Sequence, residues 1–561
     1  LMDYEAVIGP SGSPAPGTVD GTRDLVDFFP VFLNIKELLK VMPPGQQTIY
    51  KLKQDSGALN FAYTDLKPEE AGSYLTDLTI AQSLRNAETI QIRSAGVELT
   101  AEFLNKIKND GKGVILLEGR DKILVTDDKP LVLAVCNELG KTIAETRFQI
   151  SIDGVEMMFR HKNLVAAGGG SGGPPDRLDE PSNYPDRLCS NKSFVLAHGY
   201  NVNPESARGW GAEIFKRLYW SGSKAKFYSV TWYGYETQLL GNVTTDYQCN
   251  VDNAFATADE LAAFLANLSN PIVAAHSLGN MLVGSAIHDW GARPTNYFMI
   301  DAAVAKEAYD GSEEQLTGPE RLGMDHPDWS EYNRRLWCSD WHLLFPSSDH
   351  RAELTWEDRL ETVGDIVSYN FYSSGEEVLK NPASAPHLTT SASEVWNNQE
   401  RMKGLMLTGQ VLSSNYGGWA FNPYWDIIDL NNPPNYSRHL PPEQADVLFE
   451  QLKEHPFLKP GPEELYGTSG SDYASGQQHR NTLLAEMVPA LSFATGANAL
   501  ANFETGNFNV MDYKNGGSWP NERLQDGTKG NNWLHSDVKD IAYIYVYPLY
   551  SKFVELGELD R

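Results

Sequence analysis

The 561-residue chain is poor in cysteine, with four in all: Cys136, Cys189, Cys249 and Cys338. So few thiols exclude a disulfide-built scaffold, and no CxxC pair or Cys/His spacing offers a structural zinc site. No apolar run reaches the roughly 18 residues that a membrane-spanning helix needs. The opening LMDYEAVIGPSGSPAPG lacks the basic and apolar blocks of a signal peptide, and its Pro/Gly/Ser content reads as the front of a processed or truncated chain. Positive charge is also scarce. Lys and Arg number 46 against 74 Asp and Glu, a formal net charge of −28, which excludes electrostatic capture of nucleic acid or of an anionic membrane.

What is present is a globular composition, 41% hydrophobic and 21% charged, able to bury a large core. The run AAGGGSGGPPDRLDEPSNYP divides it. Before it, QTIYKLK, ALNFAYT, VILLEGR, PLVLAVC and TIAETRFQISI alternate with short polar turns, as in a β-sandwich, while AEFLNKIKND and LNIKELLK carry helical periodicity. After it, short apolar runs alternate with amphipathic stretches, the rhythm of a parallel sheet covered by helices on both faces. The expected organisation is a β-rich, sandwich-like accessory domain over 1–165, a linker over 166–188, and an α/β domain over 189–561 with cap insertions at about 305–360 and 380–530. The insertions are rich in tryptophan, including Trp329, Trp337, Trp341, Trp356, Trp396, Trp419 and Trp425, which suits either an apolar binding wall or the cores of the caps themselves.

Chemistry concentrates in two motifs. PIVAAHSLGN is an apolar strand running into Ser277 and then a helix, a nucleophile elbow in which Ala275 stands where the pattern usually has a first glycine. Small residues flank the serine because strand and helix must pass closely to expose Oγ. SFVLAHGYNV is a second strand, ending in an His-Gly turn. The backbone N–H of Tyr200 just beyond it and that of Leu278 would form an oxyanion hole, while His198 and His276 read as packing histidines. Acidic clusters such as Asp310, Glu313 and Glu314 match no ordered calcium loop and read as solvated charge.

These motifs, with SVTWYGYETQ and DELAAFLANLSN between them, resemble α/β-hydrolase serine esterases and lipases, particularly a bacterial branch with an HGYNV opening and an AHSxGN elbow. The resemblance runs in order from Ser193 to Phe371 and beyond that through scattered motifs. It implies a Ser, acid, His chain order. In related hydrolases the acid follows a late strand and precedes an apolar pair, which selects Glu376, with Glu377 and the strand-end Asp301 as alternatives. The base precedes the last helix, which selects His535, with His479 as runner-up. The implied activity is hydrolysis of an apolar or aromatic carboxylic ester through an acyl-enzyme, with no cofactor or metal, in a secreted or envelope-associated protein. Peptidase or thioesterase chemistry on the same triad, or an inactive hydrolase domain that binds a surface ligand, remain open readings.

Overall fold

The computed structural model describes residues 25–44, 48–85, 87–119, 129–148, 150, 152–234, 238–239, 243–245, 247–310, 356–373, 378–379, 410–412, 494–503, 506–516 and 533–561. Most of both expected cap insertions lies outside them.

The first part is β-rich, as its alternating segments suggest. Strands β1 (Phe29–Leu33), β2 (Ile49–Lys53), β3 (Leu59–Tyr63), β4 (Ile90–Ile92), β5 (Val97–Glu98), β6 (Gly113–Gly119), β7 (Val132–Cys136) and β8 (Thr142–Arg147) form two antiparallel sheets, ordered β1-β6-β3-β4 and β5-β2-β7-β8. Three helices, α1 (Lys36–Val41), α2 (Leu78–Arg85) and α3 (Ala101–Asp110), join them. Helix α3 starts where the Thr100 side chain accepts the Phe103 N–H, and its Phe103, Leu104 and Ile107 enter one core with both sheets.

The remaining strands are β9 (Arg160–Asn163), β10 (Ser193–Ala197), β11 (Lys226–Thr231), β12 (Gln238–Leu239), β13 (Val243–Thr245), β14 (Pro271–His276), β15 (Asn296–Ile300), β16 (Val367–Tyr372), β17 (Gln410–Leu412) and β18 (Asn507–Asn509). Seven of them build a parallel sheet ordered β18-β16-β15-β14-β10-β11-β9, and β12, β13 and β17 form a small antiparallel sheet. The helices are α4 (Pro204–Trp220), α5 (Tyr247–Ala266), α6 (Gly279–His288), α7 (Asp537–Asp540) and α8 (Tyr543–Gly557). Side chains alternate between the two faces with period two. Val195 and Ala197, Val273 and Ala275, and Tyr297 and Met299 join the core of α5 and α6; Phe194 and Leu196, Ile272 and Ala274, and Phe298 and Ile300 join that of α4 and α8. This is an α/β architecture with helices on both faces.

Four features differ from the sequence expectation. Strand β9 precedes the glycine run yet belongs to the large sheet, because its backbone pairs in register with β11. The glycine–proline stretch does not hang free: the Asn163 amide donates to the carbonyls of Gly172 and Pro174 at 3.1 and 2.9 Å, and Arg177 pairs with His161. Residues Leu25, Val26, Phe28, Tyr74, Leu75, Ala81 and Leu84 share the core of α4 and α8, so the N-terminal segment is partly built into the larger unit. Strand β18, inside the stretch read as cap, is an edge strand of the large sheet.

Candidate active site

The order of the parallel strands dictates where a site forms. From β10 the chain crosses to β11 on one side and then returns to β14 on the other, so the strand order reverses between β10 and β14. At such a switch point the loops leaving the two carboxyl ends diverge and open a crevice. The turn after β10 is His198-Gly199-Tyr200, and the turn after β14 is Ser277. The two expected motifs therefore meet at the position that the topology reserves for a site.

Ser277 occupies the left-handed region at φ 52°, which costs a non-glycine residue on the order of 1 kcal/mol or more. Its surroundings hold it there. Its N–H donates to the Ile300 carbonyl at 3.0 Å, and its carbonyl accepts from the N–H groups of Asn280 and Ala303 at 3.1 Å each. The Asn280 side-chain amide adds bonds to the carbonyls of Ser277 and Ala275 at 2.9 and 3.1 Å, while its oxygen accepts the Tyr297 hydroxyl at 2.8 Å. The closeness that the elbow demands is measurable at two glycines. A β-carbon on Gly279 would lie 2.5 Å from the His198 carbonyl oxygen, and one on Gly199 would lie 2.8 Å from Ser277 Cβ and 2.9 Å from His276 Nδ1. Only a hydrogen fits at either position.

The second turn is pinned from the far side. Trp232 donates its backbone N–H to His198 Nε2 at 3.2 Å and its indole N–H to the His198 carbonyl at 2.8 Å. With Nε2 accepting, the His198 proton sits on Nδ1 and is donated to the Gly199 carbonyl at 2.9 Å. Burial pushes the His198 pKa down to about 4. The imidazole is a neutral strut, as its place at the end of β10 suggests. Asn201, itself at φ 58°, donates to the Gly234 carbonyl at 2.7 Å. Tyr200 and Leu278, the oxyanion candidates, thus lie on two turns in direct contact. Leu278 is fully buried at the N-terminus of α6, and among the described residues no acceptor takes up its N–H.

The strand alternation also fixes His276. It continues the series Ile272, Ala274, His276 and faces α4, where its ring lies 4.6 Å from that of Trp210. On the same side it meets the segment carrying His535. The His276 Nε2–H donates to the His535 main-chain carbonyl at 2.7 Å, and the two rings are 4.8 Å apart. Burial and the neighbouring His535 hold the His276 pKa well below 6.5. The sequence reading took His276 as packing alone; its contact with the candidate base comes from a residue 259 positions away, which no local pattern signals.

Asp301 follows β15, beside the elbow. It is fully buried, lies at φ 43°, and accepts the Trp533 indole N–H on Oδ2 at 2.9 Å. Trp533 stands two residues before His535. The Leu534 N–H donates at 2.7 Å to Oδ2 of Asp537, the first residue of the short α7, which closes the turn that carries His535. Ser277, Leu278, Tyr200, Asp301 and His535 thus gather at the carboxyl ends of β10, β14 and β15, whereas Glu376, Glu377 and His479 lie outside the described residues. Asp537 braces the Leu534 main chain through its carboxylate.

No family model matches the chain, and no curated protein matches it. Among solved structures it is similar to an extracellular α/β-hydrolase from a Paenibacillus species, described as sharing structural and functional homology with tobacco salicylic acid binding protein 2. The two are 19% identical over 29% of this chain and 62% of that one, with a TM-score of 0.15. At that TM-score the likeness settles nothing about fold or activity.

Proposed function

We propose that this chain is a serine hydrolase of the α/β-hydrolase type that cleaves carboxylic esters, as an esterase, lipase or polymer esterase. The observation that carries the reading is Ser277 itself: a non-glycine residue held at φ 52° on a strand-to-helix turn, at the switch point of a parallel sheet, with no room for a β-carbon at Gly279 on its own turn or at Gly199 on the facing one. Such strain persists where the surroundings over-determine it, and here it presents a hydroxyl.

In the proposed mechanism Ser277 Oγ attacks the ester carbonyl as His535 takes its proton. The carbonyl electron pair moves onto oxygen, where the N–H groups of Leu278 and Tyr200 bind the developing charge. Collapse expels the alcohol, which takes the proton back from His535, and leaves the acyl group on Ser277. Water, deprotonated by His535, then attacks the acyl carbon and releases the acid. The chemistry calls for no cofactor. Glu376 is the acid that chain order selects, with Glu377 beside it, while a separate observation favours Asp301: a fully buried carboxylate bonded to Trp533, two residues from the base. Replacing the true acid by its amide should lower kcat on the order of 10⁴-fold, so Asp301→Asn and Glu376→Gln compared side by side assign it. His479→Gln should leave turnover unchanged.

Among the described residues no helix is long and apolar enough to cross a membrane. The reading extends to a secreted or envelope-associated enzyme acting on an apolar or aromatic ester. The test is hydrolysis of a p-nitrophenyl ester series by the wild type and by Ser277→Ala. Turnover abolished by the substitution supports the reading, and the series gives acyl preference. Turnover that survives Ser277→Ala, or none in folded wild type, removes it.

A further inference from the structure

Given the reading of Ser277 and His535 as nucleophile and base, the base must be held against the nucleophile although a long stretch of chain separates them. The segment Trp533-Leu534-His535 is fastened at three points. The Trp533 indole donates to Asp301, which follows β15; the His535 carbonyl accepts from His276, which ends β14; and the Leu534 N–H is bound by Asp537 of α7. Two of the three fastenings are to the ends of neighbouring central strands, and one of those strands leads directly into Ser277.

We propose that His276 is a positioning residue for the base, its Nε2–H fixing the His535 main chain to the strand that presents Ser277. The bond requires one tautomer. A buried neutral imidazole carries a single proton, and a carbonyl partner on Nε2 demands that the proton be there. Nδ1 is then a bare acceptor, and it packs against Gly199, where a β-carbon would lie 2.9 Å away, with no donor for it among the described residues. The ring is locked between Trp210 and His535, so the N–H cannot swing elsewhere. The residue before the nucleophile thus ties three parts of the site into one geometry: the elbow, the oxyanion turn and the base segment. It makes no hydrogen bond to a reacting atom. Its influence is on where His535 sits, and a misplacement of about 1 Å in such a group can lower a rate by about 100-fold.

The experiment compares His276→Phe, which keeps an aromatic ring beside Trp210 but has no donor, with His276→Gln, which restores a side-chain N–H. The expected result is a kcat for ester hydrolysis on the order of 10- to 100-fold lower in His276→Phe, with KM little changed and most of the loss recovered in His276→Gln. Wild-type kcat in His276→Phe overturns the proposal. So does an equal loss in both variants while both remain folded, since the ring rather than the donor would then matter. A second measurement needs no variant and no activity: ¹⁵N spectra of the histidine-labelled wild type should show His276 neutral and protonated on Nε2. Protonation on Nδ1 overturns the proposal. If the wild type neither turns over esters nor reacts at Ser277, the hydrolase reading fails, and the tautomer still decides whether the His276 contact exists.

Discussion

Replacing Gly279 by alanine tests the elbow at its tightest point. The added β-carbon would stand 2.5 Å from the His198 carbonyl oxygen and 2.9 Å from that of Ala197. Ordinary contact begins near 3.5 Å, so the N-terminus of α6 must retreat from β10 by roughly 1 Å. Neither obstacle can rotate aside, because both are main-chain carbonyls at the end of a central strand. Overpacking of this kind costs about 1–3 kcal/mol of stability. The chemical effect should be larger. The same retreat carries the Leu278 N–H away from the Tyr200 turn, and losing one oxyanion donor costs about 2.7–4 kcal/mol, or 100- to 1,000-fold in rate. The assay pairs urea unfolding, followed by tryptophan fluorescence, with the second-order rate of fluorophosphonate labelling. Gly284→Ala on the same helix is the control. Its β-carbon meets Leu360 side-chain atoms at 2.9–3.2 Å, which can shift, so it should lose stability without losing reactivity. Wild-type labelling by Gly279→Ala, or equal loss of labelling in the control, would refute the reasoning.

Three further outcomes follow from the same contacts. Asn280→Leu removes the amide that bridges Ala275, Ser277 and Tyr297; each buried group left unsatisfied costs about 1–3 kcal/mol, so the urea midpoint should fall clearly while Tyr297→Phe should cost less, since it leaves the bonds to the elbow intact. On α4, Glu213 is fully buried with Lys216 and Arg217, and Lys216 also pairs with Asp27 at 2.7 Å. Glu213→Leu leaves buried positive charge short of its partner and should cost about 3–5 kcal/mol in denaturant unfolding. His198 has its pKa lowered from 6.5 to about 4, so between those values the unfolded chain binds the extra proton. Stability is therefore full above pH 6.5 and falls as the pH drops toward 4, by about 3 kcal/mol from this group, and His276 acts in the same direction. Urea midpoints from pH 7 to pH 4 should show that slope, and His198→Asn should flatten it; an unchanged slope contradicts the assignment.

How far the sequence reveals this molecule depends on whether the cause is local. The strands at Ser193, Lys226, Pro271, Asn296 and Val367, the helices between them and the elbow at Ser277 are written in apolar runs of strand length, helical periodicity and small residues at fixed offsets. The structural role of His198 was also legible, since its place in the His-Gly turn after β10 puts it in a crowded position. The contacts of His276 with His535 and of Asp301 with Trp533 were not, because each joins residues more than 200 positions apart. Strand β9 was hidden for a related reason. RHKN has no apolar pattern of its own and becomes a strand by pairing at the sheet edge. The glycine run beside it reads as a flexible linker by composition, yet the Asn163 side chain and a main-chain pairing fasten it down.

The central claim is that Ser277 is an activated nucleophile, and its most direct test is covalent. Folded wild-type protein treated with a fluorophosphonate at neutral pH, then weighed intact and mapped by peptide, should carry one adduct on Ser277. His535→Gln should take it up far more slowly, and Ser277→Ala not at all. Folded protein with no adduct, or with its adduct on another residue, would contradict the account.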